Sequence, residues 1–218
     1  DLSDSSYNEV YENEIKDCTE MGIGLLDSSN NKVVGNTFIN CGLFVHSSYQ
    51  NTVEDNTVNG KPLVYLEGVS NYVVKEAGQV ILVRCKNIRV ENLDLSRTSI
   101  GVELEETDNS IISGNRMERN NVGIELTYSS SYNEIYKNEI KDCDYGIELS
   151  DSSYNEIYEN EIKDCGYGIV LGHSSYNEIY ENEIRDCTVG IRLWDSSNNN
   201  AIFHNDFINN KKQVHSEN

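Results

Sequence analysis

Proline is almost missing from this chain: Pro62 is the only one in 218 residues. A turn-rich fold must then bend through other residues, and Asn, Asp, Ser and Gly are the ones available. Apolar residues are also scarce, at 37 %, so the core is thin or is filled partly by something else. No apolar run is long enough to cross a bilayer. Basic residues number 17 against 37 acidic ones, a formal net charge of −20. Such a surface repels phosphate backbones and anionic membranes, so neither nucleic acid nor membrane insertion is expected. It suits cations, neutral sugars or basic partners. Six cysteines include no CxxC pair, which argues against a zinc ribbon.

What the chain has is repetition. SSYNEIYENEIKDC (Ser152 to Cys165) recurs as SSYNEIYENEIRDC from Ser174 and as SSYNEIYKNEIKDC from Ser130, and SSYNEVYENEIKDC opens at Ser5. The three cleanest copies occupy residues 130–151, 152–173 and 174–195. Numbered from the first Ser, Asn holds position 4 (Asn133, Asn155, Asn177) and position 9 (Asn138, Asn160, Asn182). Ile holds 6, 11 and 18, Cys holds 14 (Cys143, Cys165, Cys187), Gly 17 and Leu 20. This apolar spacing fits no helical period, and Ile and Tyr between Asn and Gly punctuation favour short strands. Three short strands in about 22 residues make one rung of an all-β, single-stranded, right-handed parallel β-helix, with rungs stacked roughly 4.8 Å apart. Stacking explains the copying, since each residue must fit its own copy above and below. It also explains the thin core. Asn fills the bends, its amide donating to one neighbour and accepting from the other. Cys serves as a small hydrophobe, reduced because stacked side chains point alongside one another.

Residues 28–46, 86–106, 108–128 and 196–215 are looser rungs. Residues 1–218 thus read as one solenoid domain, expected to be a fragment of a longer protein because it begins inside a repeat. Residues 60–84 break the rhythm as an irregular pair of strands or an enlarged rung. Neither terminus supplies an obvious cap, so axial self-association is expected.

The pattern SxNxIxxNxIxxCxxGIxL resembles the repeats of the NosD-like, or CASH (carbohydrate-binding and sugar hydrolase), family. GKPLVYLEG, AGQVILVRCKNIRVENLDLS and NNNAIFHNDFINN look like archaeal surface and periplasmic members. The resemblance covers nearly the whole chain and implies an extracellular, cell-surface or periplasmic place. The family name implies copper delivery to a reductase, whereas many members carry the repeat as a scaffold or glycan-binding region. Fold analogy alone carries no activity.

Outward positions also form columns. Tyr132, Tyr154 and Tyr176 (position 3) and Tyr136, Tyr158 and Tyr180 (position 7) make an aromatic strip able to stack on sugar rings, although Tyr is also simply a good strand residue. Glu139, Glu161 and Glu183 should interleave with Lys141, Lys163 and Arg185 as exposed ion pairs. Glu103, Glu125 and Glu148 form an acidic column without a basic neighbour, which is either a solvated face or a calcium site. Asp151, His173 and Asp195 share position 22, where they either open the next turn or hold a transition metal. Nothing else in the sequence requires a cofactor. An enzyme of this fold needs a departure from repetition, and residues 60–97 offer Lys61, Glu67, Lys75, Glu76, Arg84, Asp94 and Arg97 in no recognisable arrangement. No catalytic residue is therefore named. The expected function is a non-enzymatic extracytoplasmic scaffold for adhesion, binding a polysaccharide, another glycan or another surface protein. The alternatives are a carbohydrate-active enzyme, either polysaccharide lyase or glycoside hydrolase, and a copper-handling accessory protein.

Overall fold

The computed structural model describes residues 1–217, which contain strands and turns but no helix. Each regular turn is three short strands, such as Glu156–Tyr158, Glu161–Lys163 and Tyr167–Gly172. Strands one repeat apart pair in parallel, with Ile135 opposite Ile157 and Ile157 opposite Ile179. The expected parallel β-helix is the fold. Ile157, Ile162, Ile169, Leu171 and Cys165 of this turn point inward and are buried with their copies. All six thiols are free.

Asparagine holds the register at the bends. Asn160 Oδ1 accepts from the backbone N–H and from Nδ2 of Asn138 one turn before, both at 3.0 Å. Its own Nδ2 donates to Ile135 O and to Asn182 Oδ1, both at 2.9 Å. Equivalent bonds link Asn133, Asn155, Asn177 and Asn200. The amides are buried between turns, where no water can replace a lost partner. The bends also need left-handed backbone. In the middle repeat Tyr154, Glu159, Asp164 and His173 have φ of 62°, 52°, 56° and 50°, a conformation that side chains other than Gly, Asn and Asp adopt at some cost.

The stack is not continuous. Thr57–Val58 and Lys61–Glu67 pair antiparallel, Val58 opposite Lys61. Asn59 and Gly60 between them have φ of 51° and 80°, the two-residue turn that Asn-Gly favours. The chain therefore reverses, and residues 1–58 form a first coil distinct from the second coil that follows. This hairpin, and not an enlarged rung, is what interrupts the repeat.

Reversal leaves strand Leu43–His46 at the edge of a three-stranded sheet. Side chains on the outward face of the second coil complete it. The Leu43 N–H donates to Gln79 Oε1 at 3.0 Å, and Gln79 Nε2 returns a bond to Leu43 O at 2.6 Å. The Val45 N–H donates to Glu103 Oε1 (3.1 Å) and the Ser47 N–H to Glu105 Oε2 (3.2 Å). Strand Gln79–Val83 is consequently buried on both faces, with Val80 and Leu82 in the second core and Ile81 and Val83 in the first. The inner end of the first coil is capped in this way.

Asn160→Leu should lower stability far more than Glu161→Gln. It strands several buried donors and acceptors, each costing about 1–3 kcal/mol, whereas Glu161 is a partly exposed member of an ion-pair row. Thermal denaturation of the two variants measures this, and equal melting temperatures would remove the ladder from its structural role.

Candidate functional site

A cleft of about 560 Å³ opens where the two coils meet. Asn40, Val58 and Asn59 supply one wall from the first coil. Lys61, Asp94, Ser96, Arg97, Arg116, Glu118 and Arg119 supply the rest from the second. Strand pairing shows how the cations arrive. Arg116 lies opposite Glu139, which lies opposite Glu161 and then Glu183. Arg97 and Arg119 occupy the left-handed corner that Asp142, Asp164 and Asp186 occupy in later turns, each donating its N–H to the next turn's carbonyl. The regular turns read EIKD or EIRD at these positions, and the cleft turn reads RMER, with every charge inverted.

Two acids serve four cations. Asp94 is 3.6 Å from Lys61 Nζ and 3.8 Å from Arg116, and accepts from Ser96 Oγ at 2.6 Å. Burial alone would raise its pKa, but the Ser96 bond and the Lys61 and Arg116 charges prevail and hold it below the ordinary Asp value. Glu118 pairs with Arg116 and lies 3.8 Å from Arg119 Nε. Among the described residues Arg97 has no acid partner. Asn59 Nδ2 ties the two coils together by donating to the Ser96 and Arg97 carbonyls at 3.1 and 2.9 Å. Lys61, Asp94 and Arg97 were visible in the sequence as an unarranged set. Arg116, Glu118 and Arg119 were missed, and the inverted RMER was the signal that could have found them.

The tyrosines stand as two columns. Tyr132, Tyr154 and Tyr176 are 48–60 % exposed, with successive ring centres 5.2–5.4 Å apart and ring planes within 12° of parallel. Tyr136, Tyr158 and Tyr180 stack at 4.9–5.0 Å, and the hydroxyls of Tyr158 and Tyr180 donate to Glu134 and Glu156 of the preceding turn. Each ring face is covered by the next ring, so the strip presents ring edges and hydroxyls to solvent. The Glu–Lys/Arg rows do interleave: Lys163 bridges Glu139 and Glu161, and Arg185 bridges Glu161 and Glu183.

Glu103, Glu125 and Glu148 stack in one register column. The column is not a solvated face at its upper end, because the docked first coil leaves Glu103 only 1 % exposed. One oxygen each of Glu103, Glu105 and Glu125 is buried without a hydrogen-bond partner. Asp151, His173 and Asp195 lie on consecutive turns at an exposed left-handed corner, joined by backbone bonds from Asp151 N–H to Gly172 O and from His173 N–H to Asp195 O.

A family profile described as Periplasmic copper-binding protein (NosD) matches residues 62–218, and one described as Right handed beta helix region matches residues 1–77. The division between them falls close to the Asn59–Gly60 hairpin. No curated protein matches the chain. Among solved structures, a point mutant of the periplasmic alginate epimerase AlgG superposes with a TM-score of 0.50 at 14 % identity, over 89 % of this chain and 61 % of that one. AlgG itself gives 0.47 at 18 %, over 88 % and 51 %. The A-module of the mannuronan C-5 epimerase AlgE4 of Azotobacter vinelandii gives 0.43 at 11 %, over 87 % and 64 %. This chain therefore spans between 51 % and 64 % of those chains, and the likeness is one of fold. The residues present do not fit a copper centre. Among the described residues no three His, Cys, Asp or Glu side chains converge as metal ligands. Cys85, Cys143, Cys165, Cys187 and Met117 are enclosed in the coil, and His46 is engaged by the Tyr128 hydroxyl.

The buried carboxyls make the joint between the coils sensitive to pH. Burial raises Glu105 from 4.5 to about 7. Burial, reinforced by the neighbouring Glu148 and Glu105 charges, raises Glu125 to about 8. Glu103 moves the same way, through burial and then the charges of Glu125 and Glu105. The folded chain thus holds protons that the unfolded chain releases above about pH 4.5, and stability falls as pH rises through the folded values of Glu105, about 7, and Glu125, about 8. The melting temperature should drop between about pH 5 and pH 9, and the double variant Glu103→Gln, Glu125→Gln should flatten that drop. Overall net charge acts in the same direction, so the comparison with the variant decides. Identical profiles would exclude these carboxyls as the cause.

Proposed function

This chain belongs to the family described as periplasmic copper-binding protein (NosD), and from that footing we propose that it is an extracytoplasmic β-helix scaffold that binds an acidic polysaccharide in the cleft between its coils. The inversion of EIKD to RMER at the cleft carries the reading. A chain of net charge −20 places Lys61, Arg97, Arg116 and Arg119 around one hollow with only Asp94 and Glu118 to balance them. An anionic polymer is repelled by most of the surface and drawn to this spot. Guanidinium groups suit carboxylates because they offer paired donors in a plane. Arg97 and Arg119 occupy equivalent corners of adjacent turns, so their spacing is set by the stack, at about 4.8 Å per turn.

Binding without turnover is favoured by Asp94. It lies 3.6 Å from Lys61 Nζ and is held ionised, whereas a general acid or base working near neutrality needs a raised pKa. The extracytoplasmic placement rests on the family description and on the polysaccharide-directed names of the fold's neighbours. The tyrosine columns enter as a hydroxyl-rich flank of the scaffold.

The test substitutes Arg97→Asn and Arg119→Asn together, since Asn already occupies the equivalent corners at Asn40 and Asn59 and tolerates left-handed backbone. Calorimetry with a polyuronate should give a Kd about tenfold or more weaker in the double variant, a loss of about 1.4 kcal/mol. Wild-type binding should weaken as salt is added, and a neutral glucan should not compete. Equal affinity in both proteins would end the cleft reading. Release of shortened or unsaturated oligosaccharides would assign catalysis to it instead.

A further inference from the structure

The cysteine pair of the first coil is held differently from the cysteine column of the second. Cys143, Cys165 and Cys187 each turn back on their own strand, Sγ donating to the carbonyl two residues earlier: Lys141 at 3.4 Å, Lys163 at 3.3 Å and Arg185 at 3.3 Å. Each is thereby tied to its own turn. Cys41 is turned toward the turn before. Its Sγ lies 3.6 Å from Ile15 O and 2.7 Å from Cys18 Sγ.

The stack delivers this pair in register. Lys16 lies opposite Ile39, and the Asp17 N–H donates to Ile39 O at 2.9 Å. Cys18 and Cys41 therefore hold the same place in successive turns. Their backbones are one strand spacing apart, roughly 4.8 Å, inside the span of about 4.4–6.8 Å that a disulfide bridges. The sulfurs are already closer than unbonded sulfurs rest. No cysteine follows between residues 42 and 58 of this coil, so the pair has no competitor. A bond within the column of Cys143, Cys165 and Cys187 would leave one sulfur over. Cys41 is 1 % exposed, while Cys18 is only partly buried. Burial, and then the neighbouring Cys18 thiol, pushes Cys41 up to about 12. Cys41 thus keeps its proton, and Cys18 is the sulfur that meets an oxidant.

We propose that Cys18 and Cys41 are a site of covalent cross-linking, closed by a low-molecular-weight disulfide into a bond that ties the first two turns together. The Cys18 thiolate attacks one sulfur of the oxidant and expels a small thiolate. Cys41 Sγ then attacks the Cys18 sulfur, the mixed bond breaks, and the second small thiolate leaves. Two electrons pass from the protein sulfurs to the oxidant, and the protons of Cys18 and Cys41 end on the two small thiols. Extracytoplasmic compartments supply such oxidants, but the bond depends neither on that placement nor on the cleft between the coils.

The test incubates the folded chain with glutathione disulfide at mildly alkaline pH, where an accessible thiol ionises. The chain is then denatured, alkylated and weighed. Of the six thiols, two should be lost to alkylation and all should return after reduction. Digestion without reduction should yield one linked pair of peptides, carrying Cys18 and Cys41. The variant Cys18→Ser should form no intramolecular link. Alkylation of all six thiols after oxidation overturns the proposal. So does a glutathione adduct that persists on Cys18 with Cys41 still free, since the geometry would then have failed to close the bond. A link that joins any of Cys143, Cys165 and Cys187 in place of this pair overturns it as well.

Discussion

Every turn of this molecule is bound to the next by a buried amide that must find an identical amide one repeat away. The Asn138–Asn160–Asn182 chain of bonds is therefore a constraint on length and on sequence at once. A turn of the wrong length would offer an aliphatic group to an amide, at the cost of an unpaired buried donor. A fixed turn length in turn forces like to stand on like everywhere else. For Ile and Leu that repetition makes a core one or two residues wide. For Glu it creates repulsion, which the neighbouring Lys and Arg column relieves by bridging successive turns. For Tyr it spends the ring faces on one another. The chemistry open to a regular turn is thus limited to edges, hydroxyls and balanced charge, and a binding site has to be sought where the pattern is broken.

The largest break is the reversal at Asn59 and Gly60. It creates an edge strand whose amides cannot be satisfied by another turn, because the next strand of that face never arrives. Gln79, Glu103 and Glu105 take the part of the missing backbone. Carboxylates are an expensive substitute, since docking strips their water and crowds them beside Glu125. The same reversal brings Asn40 and Asn59 against turns of the second coil and so builds the cleft. A single two-residue turn accounts for the capped inner end, the buried acids and the site.

Much of this was legible in the sequence. Asn160, Cys165, Ile162 and Leu171 sit where their spacing put them, because in a stacked fold position within the repeat is position in space. The hairpin was marked by Asn-Gly between two strand-like runs, but TVNGKPLV also continues the apolar punctuation of a looser rung, and the repeat reading absorbed it. Glu103 and Glu148 carry the same local letters, and only the first coil lying over one of them makes one buried and the other not. That contact joins residues 58 apart in the chain, which no periodicity encodes. The arginines of the cleft needed an alignment of divergent turns to be seen as inversions, and that alignment is secure only once the strands are paired. For the tyrosines, spacing fixes which residues stack but not which surface of each ring remains open.

The near-identical turns between residues 130 and 195 also act as a spacer of adjustable length. The junction cleft lies before them, and each turn contributes about 4.8 Å along the coil. Duplicating one 22-residue copy leaves the cleft intact, because every copy ends and begins on the same amides. What changes is only the length of coil beyond the cleft, in fixed steps. Sequences repeated this closely are prone to gain or lose whole copies, so the reach of the scaffold can be reset without redesigning the cleft.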